Sequence, residues 1–229
     1  MENKRHKVLF AGIDGSGKTT CLNLLVAKLE ERYSIIKIGN HDPYFFYQGT
    51  QRSAANNKVY KIMDWLRPVS QRFRCYGLFL VVNFTYKHLL AKYVEWFKRS
   101  DIIMYETDVL LHPVVYIRYH FPVSRWISGK LRFKIVKTLF GPGKDCSIFY
   151  LDTSPEVAMD RILSRGGDIH EHENTRDLKK LKVEFDSMLE VVRENGFDIV
   201  RVNTNGRTLD EVLKEIQGIL EEKLNGAAA

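Results

Sequence analysis

The stretch FAGIDGSGKTT, residues 10–20, lies between a short apolar run and an amphipathic one. Residues 7–11 predict a β-strand, and residues 18–33 repeat apolar side chains on one face of a helix. Gly12, four residues and then Gly17-Lys18-Thr19 fit the pattern G-x-x-x-x-G-K-[ST]. A strand, a glycine-rich turn and a helix in this order predict a loop that binds phosphate groups.

The residue types in this loop suit a nucleoside triphosphate. Glycines let successive backbone N–H groups turn toward a phosphate, and the following helix offers its positive N-terminal end. Lys18 is expected to reach the β- and γ-phosphates, and the Thr19 hydroxyl is expected to ligate Mg²⁺. The predicted nucleotide site consists of Gly12, Asp14, Gly15, Ser16, Gly17, Lys18, Thr19 and Thr20.

Asp14 is an acid inside a loop built for anions, which costs electrostatic energy unless the carboxylate has a task. One such task is a hydrogen bond that orients an acceptor molecule beside the γ-phosphate. The alternative is that Asp14 only caps the loop. The sequence leaves both interpretations open.

Length and composition predict one domain in a reducing compartment. The chain has 229 residues, of which 1–225 are expected to form a single domain and 226–229 a tail. Its apolar stretches are all shorter than the roughly 18 residues of a membrane span. Cys21, Cys75 and Cys146 lie far apart, which argues against a disulfide framework and for the cytoplasm. The formal net charge of +7 fits a polyanionic ligand.

Strand and helix patterns alternate along the chain. Strands are predicted at residues 7–11, 34–38, 101–107, 146–153 and 197–204. Helices are predicted at 53–66, at 69–99, from Ser154-Pro155 onward and from Thr208 onward, whereas 39–50 predicts a loop. Strands separated by helices predict an α/β fold in which a parallel sheet is covered on both faces.

Motifs near both ends of the chain resemble those of thymidylate kinases. GIDGSGKTT is similar to their phosphate loop, and IFYLDTSPEVAMDRILSRGG, residues 148–167, is similar to their strand-to-lid segment. Residues 197–220 resemble the last strand and helix of that family. The resemblance implies a P-loop kinase fold with three αβα layers, a five-stranded parallel sheet in the order 2-3-1-4-5 and a helical lid. It also implies ATP with Mg²⁺ as the phosphoryl donor, dTMP as the simplest acceptor, and a homodimer.

The same resemblance implies lid arginines at Arg161 and Arg165, within a lid at 161–180. Phosphoryl transfer concentrates negative charge on the migrating group, and cations from a closing lid stabilise it. Residues 166–180 are polar, charged and hinged by glycine, as a lid requires. The other interpretation of the two arginines is a solvated pair on one helix face.

Three places depart from the thymidylate kinase pattern. The third strand ends in Glu106-Thr107 where the family carries Asp-Arg, so a carboxylate is kept and an arginine is lost. Phe84 stands where a second arginine is expected, and residues 39–50 keep little of the family's monophosphate loop. These changes remove cations that would grip an acceptor phosphate. Glu106, at the end of a central strand, could support Mg²⁺ through water, take a proton from an acceptor hydroxyl, or be a surface acid.

Two further segments allow more than one interpretation. HEHE, residues 170–173, lacks the spacing that places two histidines on one helix face, so lid polarity explains it better than a metal site. Residues 125–144 carry six basic side chains and no acid, and an apolar residue recurs every four positions at Ile127, Leu131, Ile135 and Leu139. Such a segment could contact an anionic membrane surface or nucleic acid, or it could pack its apolar face on the domain.

The sequence as a whole predicts a phosphotransferase that uses ATP and Mg²⁺. The expected catalytic residues are Lys18, Glu106, Arg161 and Arg165, with Thr19 and Glu106 at the metal. A nucleoside monophosphate is the first small-molecule acceptor to consider, and the hydroxyl of a nucleoside or another metabolite is the alternative. A non-catalytic ATP-binding switch is a further alternative, although the chain lacks the Asn-Lys-x-Asp motif of a GTPase.

Overall fold

The computed structural model describes residues 5–38, 43–47, 50–53, 62, 65–66, 69–70, 72, 76–97, 100–106, 110–120, 126–141, 146–166 and 173–226. The strands within these residues are β1 His6–Ala11, β2 Ile35–Ile38, β3 Pro43–Tyr47, β4 Thr50–Ser53, β5 Ile102–Tyr105, β6 Cys146–Asp152 and β7 Asp198–Asn203. The helices are α1 Lys18–Leu29, α2 Tyr76–Phe97, α3 Leu111–His120, α4 Gly129–Phe140, α5 Pro155–Ser164, α6 Thr175–Glu194 and α7 Leu209–Gly226.

The described strands form one sheet in the order β4-β3-β2-β5-β1-β6-β7. Strands β2, β5, β1, β6 and β7 pair in parallel, and β1 lies between β5 and β6. Numbered among themselves, these five strands have the order 2-3-1-4-5, so the predicted parallel sheet is confirmed. Because parallel strands end at the same edge of a sheet, the residues that follow β1, β5 and β6 lie close together.

The prediction of a loop at residues 39–50 is wrong over Pro43–Tyr47, which forms β3. This strand pairs antiparallel with β2, and β4 pairs antiparallel with β3. The aromatic run PYFFY has a strong β propensity, and Pro43 is tolerated because it is the first residue of its strand. The hairpin therefore adds two antiparallel strands beside β2.

Helices cover both faces of the sheet, and the alternation of side chains along β1 shows how. Val8 and Phe10 belong to a buried core that includes α1 and α7. Leu9 and Ala11 belong to a second core, which includes α3, α4, α5 and α6. Successive residues of a strand point to opposite faces, so β1 serves both cores. The predicted three-layer αβα arrangement is confirmed.

Several helices differ from the predicted ones. Ser53 does not begin a helix, because it is the last residue of β4, and α1 ends at Leu29 rather than at Tyr33. The sequence predicts neither α3 nor α6. Pro113 stands in the first turn of α3, where a missing backbone N–H costs the helix little. The first turns of α6 coincide with the second half of the predicted lid.

No helix in the described ranges combines the length and the apolar character that crossing a bilayer requires. Cys21 and Cys146 are buried free thiols, and Cys75 lies outside the described residues. The described residues therefore contain no disulfide. The stability of the fold rests on the two hydrophobic cores.

Candidate active site

The loop after β1 has a shape that requires glycine at two positions. Gly12 has a φ angle of 143° and Gly15 has one of 78°, in a region that other residues rarely adopt. A Cβ atom on Gly12 would lie 2.8 Å from the carbonyl oxygen of Leu151 in β6. One on Gly15 would lie 2.3 Å from the carbonyl oxygen of Ala158 in α5. Close packing against β6 and α5 therefore sets the conformation of the loop.

Ser16 and Lys18 place polar groups against this loop. The Lys18 ammonium donates hydrogen bonds of 2.8 Å to the carbonyl oxygens of Gly12 and Ile13. It also lies 3.9 Å from a carboxylate oxygen of Asp14. The Ser16 hydroxyl is buried and has no hydrogen-bond partner among the described residues. A buried hydroxyl without a partner lowers the stability of the fold by about 1–3 kcal/mol. A hydrogen bond to a phosphate oxygen in the loop would remove this cost.

Glu106 and Thr19 meet just beyond the carboxyl ends of β5 and β1. The Thr19 hydroxyl donates a hydrogen bond of 2.9 Å to Glu106 Oε1. Lys37 of β2 lies 3.8 Å from the other carboxylate oxygen of Glu106 and donates to the side chain of Asn23 in α1. The Lys37 side chain is only 11% exposed, so solvent screens its attraction to Glu106 weakly. Thr19 of α1 and Lys37 of β2 thus hold the Glu106 carboxylate from two separate elements.

Asp14 faces a second group of side chains, which comes from α3 and α2. The Tyr116 hydroxyl donates a short hydrogen bond of 2.6 Å to Asp14 Oδ2. The Tyr116 ring stacks on His112 with ring centres 3.9 Å apart, and the Phe84 and His112 rings meet edge to face with centres 6.0 Å apart. Asp14 therefore links the phosphate loop to an aromatic group. That contact favours the interpretation of Asp14 as an acceptor-side residue over that of a simple loop cap.

Arg161 lies against the back of the phosphate loop. Its guanidinium donates to the carbonyl and hydroxyl oxygens of Thr204, at 2.9 Å and 3.1 Å, and more weakly to the Ser16 carbonyl oxygen at 3.5 Å. Thr204 follows β7 and its hydroxyl hydrogen-bonds Thr153, which follows β6. Arg161 therefore ties α5 to the loop and to the ends of two strands. It is a fixed part of the site in this structure.

Arg165 follows α5 and makes an ion pair with Glu173, with 2.6 Å between the charged atoms. Glu173 is buried, whereas Arg165 is exposed, and residues 167–172 between them lie outside the described part of the chain. Of the predicted lid at 161–180, residues 161–164 belong to α5 and residues 175–180 to α6. Leu178 lies in the core. The Arg165–Glu173 pair thus joins the end of α5 to a residue that stands just before α6.

The described residues do not form a metal cluster from protein side chains alone. These residues contain no group of three or more His, Cys, Asp or Glu that could hold a metal ion. Of the HEHE motif at 170–173, only Glu173 is described, and it pairs with Arg165.

Cys21 lies beneath the phosphate loop on α1, next to the predicted site. Burial raises the pKa of this thiol to about 11, although the nearby Arg161 charge lowers it. The thiol is therefore neutral at physiological pH and is a poor nucleophile. It fills core space, as its neighbours Leu22 and Leu25 do.

The residues predicted for the donor side come together, and three contributors lie outside that prediction. Lys18, Thr19, Glu106, Asp14 and Arg161 are all linked through the loop by the contacts described above. Lys37, His112 and Tyr116 were not predicted, because none of them belongs to a motif. Lys37 could have been suspected, since a lysine inside the apolar run SIIKI must find a partner when the strand is buried.

A triphosphate with Mg²⁺ fits the residues that are present. The unpartnered Ser16 hydroxyl suits a bound phosphate oxygen, to which it could donate a hydrogen bond. The Thr19 hydroxyl and the Glu106 carboxylate supply the hard oxygen donors that Mg²⁺ prefers.

A curated relative supports the resemblance to thymidylate kinases. The chain is 26% identical over 220 residues to a probable thymidylate kinase of Methanococcus vannielii, and the match covers 95% of this chain and 96% of the relative. No protein-family model matches the chain. The resemblance suggested by the end motifs is therefore confirmed over nearly the full length.

Solved structures of deoxyadenosine kinase from M. mycoides share the fold. The one with the products dCMP and a flexible dCDP bound has a TM-score of 0.61 at 13% identity, and covers 94% of this chain and 99% of that chain. The one with bound dATP has a TM-score of 0.56 at 15% identity, with the same coverage. At this identity the likeness shows the P-loop kinase fold alone. The curated relative, a probable thymidylate kinase, agrees with a nucleotide kinase-like phosphotransferase.

Proposed function

We propose that this chain transfers the γ-phosphoryl group of ATP to a nucleoside monophosphate, with dTMP as the first acceptor to test. The observation that carries the proposal is the junction of the phosphate loop with Glu106 and Asp14. On one side of the loop, Thr19 and Glu106 offer oxygen ligands for Mg²⁺. On the other side, Asp14 and Tyr116 form a polar contact that an acceptor would meet.

The donor is held by the loop backbone, Ser16 and Lys18. Backbone N–H groups and the N-terminal end of α1 attract the phosphates, and the Lys18 ammonium exchanges its carbonyl partners for phosphate oxygens. Thr19 and Glu106 would hold Mg²⁺, which when bound neutralises charge on the phosphate oxygens. Arg161 keeps the loop in place from behind, and Arg165 would have to exchange its Glu173 partner for a phosphate oxygen to act in the transfer.

In the transfer, an acceptor oxygen forms a bond to the γ-phosphorus as the bond to the bridging oxygen of ADP breaks. A monophosphate acceptor reacts through an oxygen that is already ionised at neutral pH, so it requires no general base. Glu106 then acts through the metal, and Asp14 with Tyr116 orients the sugar or base of the acceptor. The curated relative, a probable thymidylate kinase, supports this acceptor class.

A kinase that phosphorylates a hydroxyl is the second candidate, and Phe84 favours it. Phe84 is buried against His112 at the position where the thymidylate kinase pattern carries an arginine. A cation that would grip the acceptor phosphate is therefore replaced by an aromatic ring. In this case the acceptor hydroxyl must lose its proton, and the Glu106 carboxylate would accept it.

A panel of acceptors tests the proposal. The purified chain, ATP and Mg²⁺ are incubated with nucleoside monophosphates that include dTMP, and separately with the corresponding nucleosides, and each product is identified by chromatography. We expect dTMP to yield dTDP with one ADP formed per product. Reaction with nucleosides alone would establish the second candidate. ATP binding without acceptor-dependent ADP formation would instead favour a non-catalytic switch and contradict both.

A further inference from the structure

Helix α4 exposes the apolar side chains that recur every four residues along it. Leu131, Ile135 and Leu139 are all exposed on one outer face of the helix. Trp126, just before the helix, is 91% exposed. The sequence allowed this stripe to pack on the domain, but it faces outward in the structure. We call Trp126, Leu131, Ile135 and Leu139 the α4 stripe.

The opposite face of α4 fixes the orientation of the stripe. Phe133 and Val136 are buried in the core. Arg132 is 3% exposed, donates to the carbonyl oxygen of Val114 in α3, and pairs with Glu184 of α6 at 2.7 Å. Turning the stripe inward would expose this core and would leave the Arg132–Glu184 pair broken, which is costly for buried charges. The stripe is therefore a stable outer surface of the domain.

Lysines flank the stripe. Lys130 and Lys134 are exposed, Lys137 is partly exposed, and residues 125–144 contain no acid. Glu194 at the end of α6 pairs with Lys130 on the surface. An exposed pair of this kind is weak and exchanges partners readily. The surface around the stripe thus carries a positive charge beside an apolar band.

We propose that the α4 stripe docks this protein on an anionic lipid bilayer surface. The helix would lie in the plane of the interface, with Leu131, Ile135 and Leu139 at the boundary between head groups and acyl chains. Trp126 suits the same depth, because its ring is apolar and its N–H can reach head groups. Lys130 and Lys134 would meet the phosphates of the lipids.

This occupant fits better than the two other candidates. A second copy docked symmetrically through the stripe would bring two copies of the same positively charged surface together, which is repulsive. A nucleic acid would satisfy the lysines but would leave the apolar side chains against a phosphate backbone. An anionic bilayer offers negative charge and apolar depth within one surface.

Vesicle co-sedimentation of the whole chain tests the proposal. The vesicles contain phosphatidylcholine with or without phosphatidylserine. One variant combines Leu131→Gln, Ile135→Gln and Leu139→Gln, and another combines Lys130→Gln and Lys134→Gln. The matched controls are Leu163→Gln with Val183→Gln, which removes exposed apolar side chains elsewhere, and Lys179→Gln with Lys180→Gln, which makes the same change in charge on α6. Thermal melts establish that each variant folds.

We expect the wild type to bind only the anionic vesicles and to lose binding as salt is added. The lysine variant should bind about 25-fold more weakly at low salt, at roughly fivefold per lysine. The apolar variant should bind at least about tenfold more weakly, and both controls should bind as the wild type does.

Equal binding by the wild type and the apolar variant would overturn the proposal, as would the absence of vesicle binding. A wild-type dimer that becomes a monomer in the apolar variant, without vesicle binding, would assign the stripe to a second copy instead. If the wild type and the apolar variant bound DNA, the lysine variant did not, and none of them bound vesicles, the surface would be assigned to nucleic acid.

Discussion

Glu106 stands between a threonine and a buried lysine, and this position defines its chemistry. Its carboxylate accepts from Thr19 on one oxygen and faces Lys37 on the other. The thymidylate kinase pattern has an arginine directly after this carboxylate, and Thr107 stands there in this chain. The cation beside Glu106 is instead Lys37, which comes from the neighbouring strand β2. The site therefore contains a cation that the thymidylate kinase motif does not lead one to expect.

Replacing Glu106 by Gln should lower kcat about 100-fold, because the amide still accepts from Thr19 but no longer carries charge toward Mg²⁺. The concentration of Mg²⁺ at half-maximal rate should rise in the same variant. Steady-state kinetics over a Mg²⁺ titration measures both, and Glu31→Gln on the exposed surface is the control. Unchanged kcat and unchanged Mg²⁺ dependence would exclude Glu106 from the reaction.

Replacing Tyr116 by Phe should raise the KM for the acceptor about tenfold and leave the KM for ATP unchanged. The substitution removes only the hydroxyl that donates to Asp14, and a hydrogen bond to a charged group is worth about 1.5 kcal/mol or more. Initial rates with each substrate varied in turn separate the two constants. If the KM for ATP rose instead, Asp14 and Tyr116 would belong to the donor side.

At the level of elements, an ion-pair network joins β6 and β7 to α6. Asp152, the last residue of β6, accepts from Arg201 of β7 at 2.7 Å and lies 2.7 Å from Lys182 of α6. Partial burial raises the pKa of Asp152, but hydrogen bonds from Lys182 and Arg201 outweigh this and hold the pKa below its usual range. The network fixes α6 on the sheet next to the strand ends that support Arg161.

Asp152→Asn should therefore destabilise the fold by about 1–2 kcal/mol at neutral pH. A carboxyl whose pKa is lowered on folding contributes stability above its unfolded pKa and loses it as the pH falls through the folded pKa. The difference between variant and wild type should accordingly shrink in acid. Urea unfolding from neutral pH to about pH 2 measures it, and Asp160→Asn is an exposed control. A difference that persisted unchanged in acid would contradict this account of the network.

The parallel sheet could be predicted from sequence because each strand is a short apolar run set between helical patterns. The hairpin β3–β4 could not, since Gly39, Pro43 and Gly49 resemble turn residues, and local composition does not reveal pairing with β2. The helix α3 was also missed, because Pro113 resembles a helix breaker although it lies in the first turn. Pairing with β2 decided the first case, and the position of the proline within the helix decided the second.

The donor side of the site was predictable because its residues are consecutive in the chain. Gly12, Lys18 and Thr19 must be neighbours for one loop to surround a phosphate. The group proposed for the acceptor side comes from α2 and α3, and Lys37 reaches Glu106 from β2, so Tyr116 and Lys37 become neighbours of the site only in the folded chain. For Arg161 the sequence suggested a mobile lid, and the structure adds a fixed contact with Thr204.

For the whole molecule, α2 presents a second exposed apolar surface, and we propose that it forms the homodimer interface implied by the resemblance. Val82, Leu89, Tyr93 and Trp96 are exposed at spacings of seven, four and three residues, which places them on one face of the helix. The variant that combines Leu89→Glu with Trp96→Glu should be a monomer by light scattering while the wild type is a dimer. Val183→Glu, exposed on α6, is the control. A monomeric wild type would contradict the proposal.

The central claim is that the loop around Lys18 delivers the γ-phosphoryl of ATP to a small acceptor. Transfer of a radiolabelled γ-phosphoryl group from ATP to dTMP, followed in the wild type, in Lys18→Ala and in the exposed control Lys28→Ala, tests it most directly. We predict labelled dTDP from the wild type and from Lys28→Ala, and at least about a 100-fold loss in Lys18→Ala. Labelled product formed by Lys18→Ala at the wild-type rate would contradict the claim.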